Sequence, residues 1–120
     1  MIKLGNSISG FSTYSCRPAS KNELVMIIRD RISKEGPSCD LNDIDTSLIT
    51  DMTGLFYDSD FNGDISEWNV SNIENMSRMF DDSKFSQDIS SWKISKNCLT
   101  FNMFNGCPIK EKHKSKVLQR

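Results

Sequence analysis

Residues 63–86 read GDISEWNVSNIENMSRMFDDSKFS, and the chain writes this 24-residue unit three times without an insertion or deletion. The copies are Cys39–Asn62, Gly63–Ser86 and Gln87–Lys110. Asp40, Asp64 and Asp88 share one column, and Leu41, Ile65 and Ile89 the next. Ile44, Trp68 and Trp92 follow, then Thr46, Val70 and Ile94. Leu55, Met79 and Met103 stand ahead of Phe56, Phe80 and Phe104, while Phe61, Phe85 and Ile109 close the unit. Self-similarity at this period is the signature of a solenoid, because one unit cannot bury its own apolar face and must stack on its neighbours.

Within the unit, Ile65–Val70 alternates as a strand does, with Trp68 and Val70 inward and Glu67 and Asn69 outward. Ser71 and Glu74 have the spacing of a capping box ahead of Ile73, Met76, Met79 and Phe80, which fall on one helical face. Asp81–Lys84 then turns the chain back. The prediction is an α/β fold, a short solenoid of three strand–helix repeats over residues 39–110. Each aspartate of the Asp40, Asp64 and Asp88 column must accept hydrogen bonds from turn backbone, since a bare ladder of like charges is unfavourable.

Ahead of the repeats, Ser20 with Glu23 predicts the start of a helix running to Lys34, with Leu24, Ile27, Ile28 and Ile32 at helical spacing. Gly36 and Pro37 stop it. Residues 19–38 thus read as a capping helix and turn that seal the first rung. Residues 1–18 read as an extended N-terminal segment, and 111–120 as a basic C-terminal tail.

At 120 residues the chain is one domain by size, with 37% hydrophobic and 26% charged residues and a net charge of −1. The charge is uneven: residues 1–38 carry +3, the three units −6, −3 and +2, and the last ten residues +3. That pattern bears on steering and partner choice. No basic stripe with interleaved aromatics runs through the repeats, so nucleic acid is not the expected partner. No apolar run approaches a membrane span. Met1–Tyr14 has no continuous apolar stretch of the secretory kind, which favours the cytoplasm. Cys16, Cys39, Cys98 and Cys107 form no C-x-x-C pair and His113 is the only histidine, so no zinc site is expected. The cysteines read as free thiols in a reducing compartment, or as a Cys98–Cys107 bridge in an oxidising one.

The wording Asp64-Ile65-Ser66, Trp68, Val70-Ser71, Ile73, Met76, Met79-Phe80 and Phe85 resembles the BspA-like leucine-rich-repeat family. The resemblance covers residues 39–110. The first unit departs from it with Ile44 in place of tryptophan, and the third with Asn97 and Thr100 in place of Ile and Met. It implies a leucine-rich-repeat-like solenoid and relatives that are bacterial or protist surface proteins binding matrix, host proteins or other cells. Similar short proteins of phages and mobile elements imply an intracellular partner instead.

Several motifs invite a site. Asp58, Asp60 and Asn62 followed by Gly63 look like the opening of an EF-hand loop, although the twelfth position is Asn69 rather than a bidentate Glu. They form a weak calcium candidate, and no cofactor is expected. Asn69-Val70-Ser71 and Asn75-Met76-Ser77 match a glycosylation sequon within columns already rich in Asn and Ser. No histidine, cysteine or serine has an evident catalytic partner, so the chain is not expected to be an enzyme. The outward strand positions are the preferred binding face: Asp43, Glu67 and Ser91 in one row, Asp45, Asn69 and Lys93 in the other. The expected function is non-enzymatic binding of another protein, one with a basic surface, through that face. Two alternatives stand beside it: cell-surface adhesion, and a homodimer formed through the exposed last repeat, Phe101–Ile109.

Overall fold

The chain from Tyr14 to Leu118 is described in the computed structural model. The N-terminal segment before Tyr14, and Gln119 and Arg120 of the tail, lie outside the described residues. The predicted helix is present as α1, Lys21–Glu35. The Ser20 hydroxyl accepts the Glu23 N–H at 3.2 Å, and the Glu23 carboxylate reaches one residue further back, accepting the Ala19 N–H at 2.8 Å. Gly36, at φ 92°, ends the helix and donates its N–H to Ile32. Leu24 and Ile28 point into the core, with Ile27 and Ile32 packed beside them.

The rest of the chain overturns the predicted class. Among the described residues there is no sheet, only three isolated parallel bridges, and α1 is the only α-helix. Glu111–His113 and Lys116–Leu118 are single 3-10 turns. The protein is a compact body, with a radius of gyration of 14.3 Å, close to the ~13.6 Å expected of a globular domain this long. It is neither an α/β fold nor a leucine-rich-repeat-like solenoid of strand–helix repeats.

Side chains explain why. Asp64 accepts both the N–H and the hydroxyl of Ser66, at 2.9 and 2.7 Å, and Asn69 does the same for Ser71, at 3.1 and 2.7 Å. Asn75 accepts the Ser77 N–H at 2.9 Å. Asp40, Asp45 and Asp51 do likewise for Asn42, Ser47 and Thr53 in the first unit, and Asp88 for Ser90 in the third. Such local bonds offer the backbone an alternative to helix and strand. The Ser71 hydroxyl, committed to Asn69, caps no helix, and Ile65–Val70 is broken by a turn in which the Trp68 N–H reaches the Ile65 carbonyl at 3.2 Å. Further turns of this kind run from Val70 to Ile73, Met76 to Met79, Arg78 to Asp81 and Phe80 to Ser83.

Hydrogen bonds between units have one direction along the segment 52–58. The N–H groups of Met52, Gly54, Phe56 and Asp58 donate to the carbonyls of Asn75, Ser77, Met79 and Asp81, at 2.8–3.0 Å. One unit later Met76, Arg78, Phe80 and Asp82 donate to Leu99, Phe101, Met103 and Asn105, at 2.7–2.9 Å. Odd-numbered amides fold back instead: Leu55 to Met52, Tyr57 to Gly54 and Ser59 to Phe56. Positive φ values at Gly54, Asp58, Arg78, Asp82, Asn102 and Gly106 accompany this alternation.

The core lies between the units. Phe56, Phe80 and Phe104 stack with ring centroids 5.6 and 5.7 Å apart, and Trp68 lies over Trp92 at 6.5 Å. Each indole N–H is satisfied by an earlier unit: Trp68 donates to Leu41 and Trp92 to Ile65, both at 2.9 Å. Buried polar groups need such partners. Both ends are dressed by the flanking chain. Cys16 bridges Ile44 in parallel, and in the tail the His113 carbonyl accepts the Ile89 N–H while the Ser115 hydroxyl donates to Trp92.

Two substitutions test this packing. A Cβ at Gly63 would fall on the Cys39 carbonyl oxygen, so Gly63→Ala is expected to cost about 3 kcal/mol of stability. Trp92→Phe keeps most of the ring but removes the indole donor to the Ile65 carbonyl, which retains the Trp68 N–H, at a cost of about 1 kcal/mol. Urea unfolding of the two variants measures both.

Candidate functional site

The six residues of the expected binding face have different fates. Asp43 and Asp45 are already engaged by the chain's own basic residues. Nη1 of Arg31, on α1, donates to both carboxylate oxygens of Asp43 at 3.0 Å, and the Ser15 hydroxyl donates to the same group. Arg31 also pairs with Glu35 at 2.8 Å and donates to the Asp40 carbonyl at 3.0 Å. Asp45 is only 5% exposed and is held by Arg17 Nε at 2.8 Å. These carboxylates bind the N-terminal segment and α1 to the first unit, so they form no open acidic patch.

Protonation follows from this. Burial by itself raises the Asp43 carboxyl, but the Ser15 and Arg31 hydrogen bonds outweigh it and hold the group below its ordinary value. Asp45 is likewise lowered, burial being outweighed by the Ser47 amide and Arg17. Asp64 is lowered chiefly by the Ser66 amide.

Glu67, Asn69, Ser91 and Lys93 are exposed. Glu67 donates its N–H to Asn42 at 2.9 Å, and Ser91 its hydroxyl to the Ser66 carbonyl at 3.2 Å. Their rows therefore remain as a polar lateral surface, with Asn69 tied to its own turn.

The calcium candidate is not assembled. Gly63 lacks the positive φ of a turn glycine, and its role is to let the Cys39 carbonyl approach. Asn62 exchanges two hydrogen bonds with Ser86, at 2.8 and 3.2 Å. Asp58 and Asp60 are exposed, and among the described residues no group of three His, Cys, Asp or Glu converges on a metal position. All four cysteines carry free thiols, with Cys39 buried; the Cys107 thiol donates to the Phe85 carbonyl at 3.0 Å. No helix among the described residues is long and apolar enough to cross a membrane.

Sequence reasoning named the last repeat, Phe101–Ile109, as exposed but missed Leu99 and the apolar outer row that it shares with Phe101. Phe101 is 70% exposed and Leu99 46%, both on the outer row of the third unit. In the first and second units the same columns hold Asp51 and Thr53, then Asn75 and Ser77, so the signal was a switch from polar to apolar in the last copy. Beside them a groove of about 310 Å³ is lined by Thr100, Asn102, Met103, Phe104, Asn105, Lys114 and Leu118. Lys114 Nζ sits 4.9 Å from the Phe104 ring centroid.

Residues 31–116 match the family model described as Mycoplasma protein of unknown function, DUF285. The chain belongs to that family. No curated protein and no solved structure matched it in the same comparisons. The family span begins at Arg31, so it takes in the Arg31–Asp43 link and the whole of the third unit's outer edge.

The carboxylate links set the acid response. Groups whose folded pKa is depressed contribute stability above the unfolded value of about 3.9, and that stability is lost as pH falls through the folded value. The melting midpoint is therefore expected to fall as pH drops below about 4, and Asp45→Asn should flatten that fall. Arg31→Ala should cost about 2 kcal/mol at neutral pH, because it strips donors from a partly buried Asp43.

Proposed function

We propose that the chain is a non-enzymatic module that binds another protein through the outer edge of its third unit. The observation carrying this reading is the pair Leu99 and Phe101, large apolar side chains held in the open on a frame fixed by backbone hydrogen bonds. Exposed apolar residues beside a polar rim are the make-up of interaction sites, and aromatic anchors supply most of the energy at such sites. The repeat wording supports the same direction, since it resembles BspA-like proteins that bind host proteins, matrix or other cells. Adhesion at a cell surface is the form that binding takes in the proteins it resembles.

The lateral rows rank second. With Asp43 and Asp45 committed to Arg31 and Arg17, an acidic end that meets a basic partner is no longer on offer there. Glu67, Asn69, Ser91 and Lys93 are what remains, and no apolar anchor stands among them.

An affinity pull-down from the source organism's lysate tests the choice. Phe101→Asp alters a side chain that packs little, so the fold should survive it. The expected result is a partner captured by the natural chain, lost with Phe101→Asp, and kept by a Glu67→Lys, Lys93→Glu variant. A partner kept by the first and lost by the second would place binding on the lateral rows and contradict the proposal.

A further inference from the structure

The direction of the inter-unit hydrogen bonds leaves the third unit with an edge of a single chemical kind. In the first two units every even-numbered N–H of the 52–58 and 76–82 segments donates to the next unit. The corresponding donors of the third unit are Thr100, Asn102, Phe104 and Gly106, and among the described residues none of these four N–H groups meets an acceptor. The carbonyls from Leu99 to Asn105 are all engaged. Those of Leu99, Phe101, Met103 and Asn105 accept from the second unit, while those of Thr100, Asn102 and Phe104 accept from Met103, Asn105 and Cys107. The edge is donor-only.

That polarity decides among occupants. Two copies of this edge facing each other would set N–H against N–H, so a homodimer through the last unit gains no backbone bonds. The complementary carbonyls of a second copy, at Asp51, Thr53, Leu55 and Tyr57, run along the side of the first unit that α1 faces, across a groove lined by Val25, Ile28 and Ile32. A second copy would have to seat its third unit in that groove, against a helix fixed by Leu24 and Ile28 in the core. An extended segment of a different protein presents a carbonyl at every second residue along one side, with the N–H groups between them left to water, and needs no such fit.

Charge narrows the partner further. Successive backbone N–H groups aimed one way make a fractionally positive surface that favours anionic ligands. Lys114 lines the groove beside this edge, and residues 93–118 hold six lysines against one glutamate, while Asp82 lies beside Gly106 at one end. We propose that this edge takes an extended, acidic segment of a partner protein by backbone addition. The segment's carbonyls accept from Thr100, Asn102, Phe104 and Gly106, and its apolar side chains rest on Leu99 and Phe101. The proposal rests on the protein-binding reading above and names the chemistry of the partner.

Fluorescence anisotropy on the full chain tests it, with a labelled decapeptide of alternating Glu and Val against one of alternating Lys and Val. The acidic peptide should bind at least about tenfold more tightly. Thr100→Pro deletes one donor next to Leu99, whose bridge to Asn75 suits a residue before proline; affinity should drop about tenfold. Independently of that variant, adding the acidic peptide to the natural chain should shift the NMR amide signals of Thr100, Asn102, Phe104 and Gly106. Equal binding of the two peptides, or binding that leaves those four amides unmoved, overturns the proposal. Absence of peptide binding also overturns it, yet leaves protein binding standing if Phe101→Asp still abolishes capture of the partner.

Discussion

The structure depends on runs of backbone hydrogen bonds that point the same way along segments 52–58 and 76–82, each run preceded by one bond in the opposite sense, from Glu74 to Thr50 and from Leu99 to Glu74. An even-numbered amide in one 24-residue unit donates to an odd-numbered carbonyl in the next, as from Phe56 to Met79 and from Phe80 to Met103. Odd amides turn inward to carbonyls three residues back, so each unit satisfies itself on one side and its successor on the other. The aromatic columns follow from this spacing. Phe56, Phe80 and Phe104 stack because the backbone holds their units at a fixed distance, and each tryptophan N–H meets a carbonyl of the preceding unit. Directionality also makes the two ends chemically different, an acceptor row facing α1 and a donor row facing outward.

Charge is arranged on the same frame. The basic residues ahead of the repeats and the acidic residues of the first unit lie close together because Arg17 and Arg31 are paired with Asp45 and Asp43. The asymmetry that suggests an external partner is thus largely resolved within the molecule. A desolvated carboxylate such as Asp45 needs donors nearby, and Arg17 with the Ser47 amide supplies them. What remains open lies at the other end, where the third unit and the tail are lysine-rich and the outer row turns apolar at Leu99 and Phe101.

The 24-residue spacing and α1 were legible in the sequence, since both rest on periodicity: apolar columns for the first, Leu24 and Ile28 behind Ser20 for the second. The turns between were not. Ile65–Val70 has strand-like alternation, but Asp64 with Ser66 and Asn69 with Ser71 close local rings that break it. Ser71 and Glu74 look like a capping box, yet a helix needs the hydroxyl that Asn69 has taken. The candidate site was half hidden for a related reason. Spacing showed which residues share a row, but not that Arg31 on α1 would reach Asp43 across the turn, nor that one edge would carry donors alone.

Residue-resolved amide hydrogen exchange on the natural chain tests the directional ladder most directly. The amides of Met52, Gly54, Phe56 and Asp58, and of Met76, Arg78, Phe80 and Asp82, should exchange slowly, since each is bonded into the next unit. Those of Thr100, Asn102, Phe104 and Gly106 should exchange far faster although they occupy the same columns. Slow exchange at all twelve positions in the monomer, or fast exchange throughout, would contradict a one-way ladder left open at its third unit.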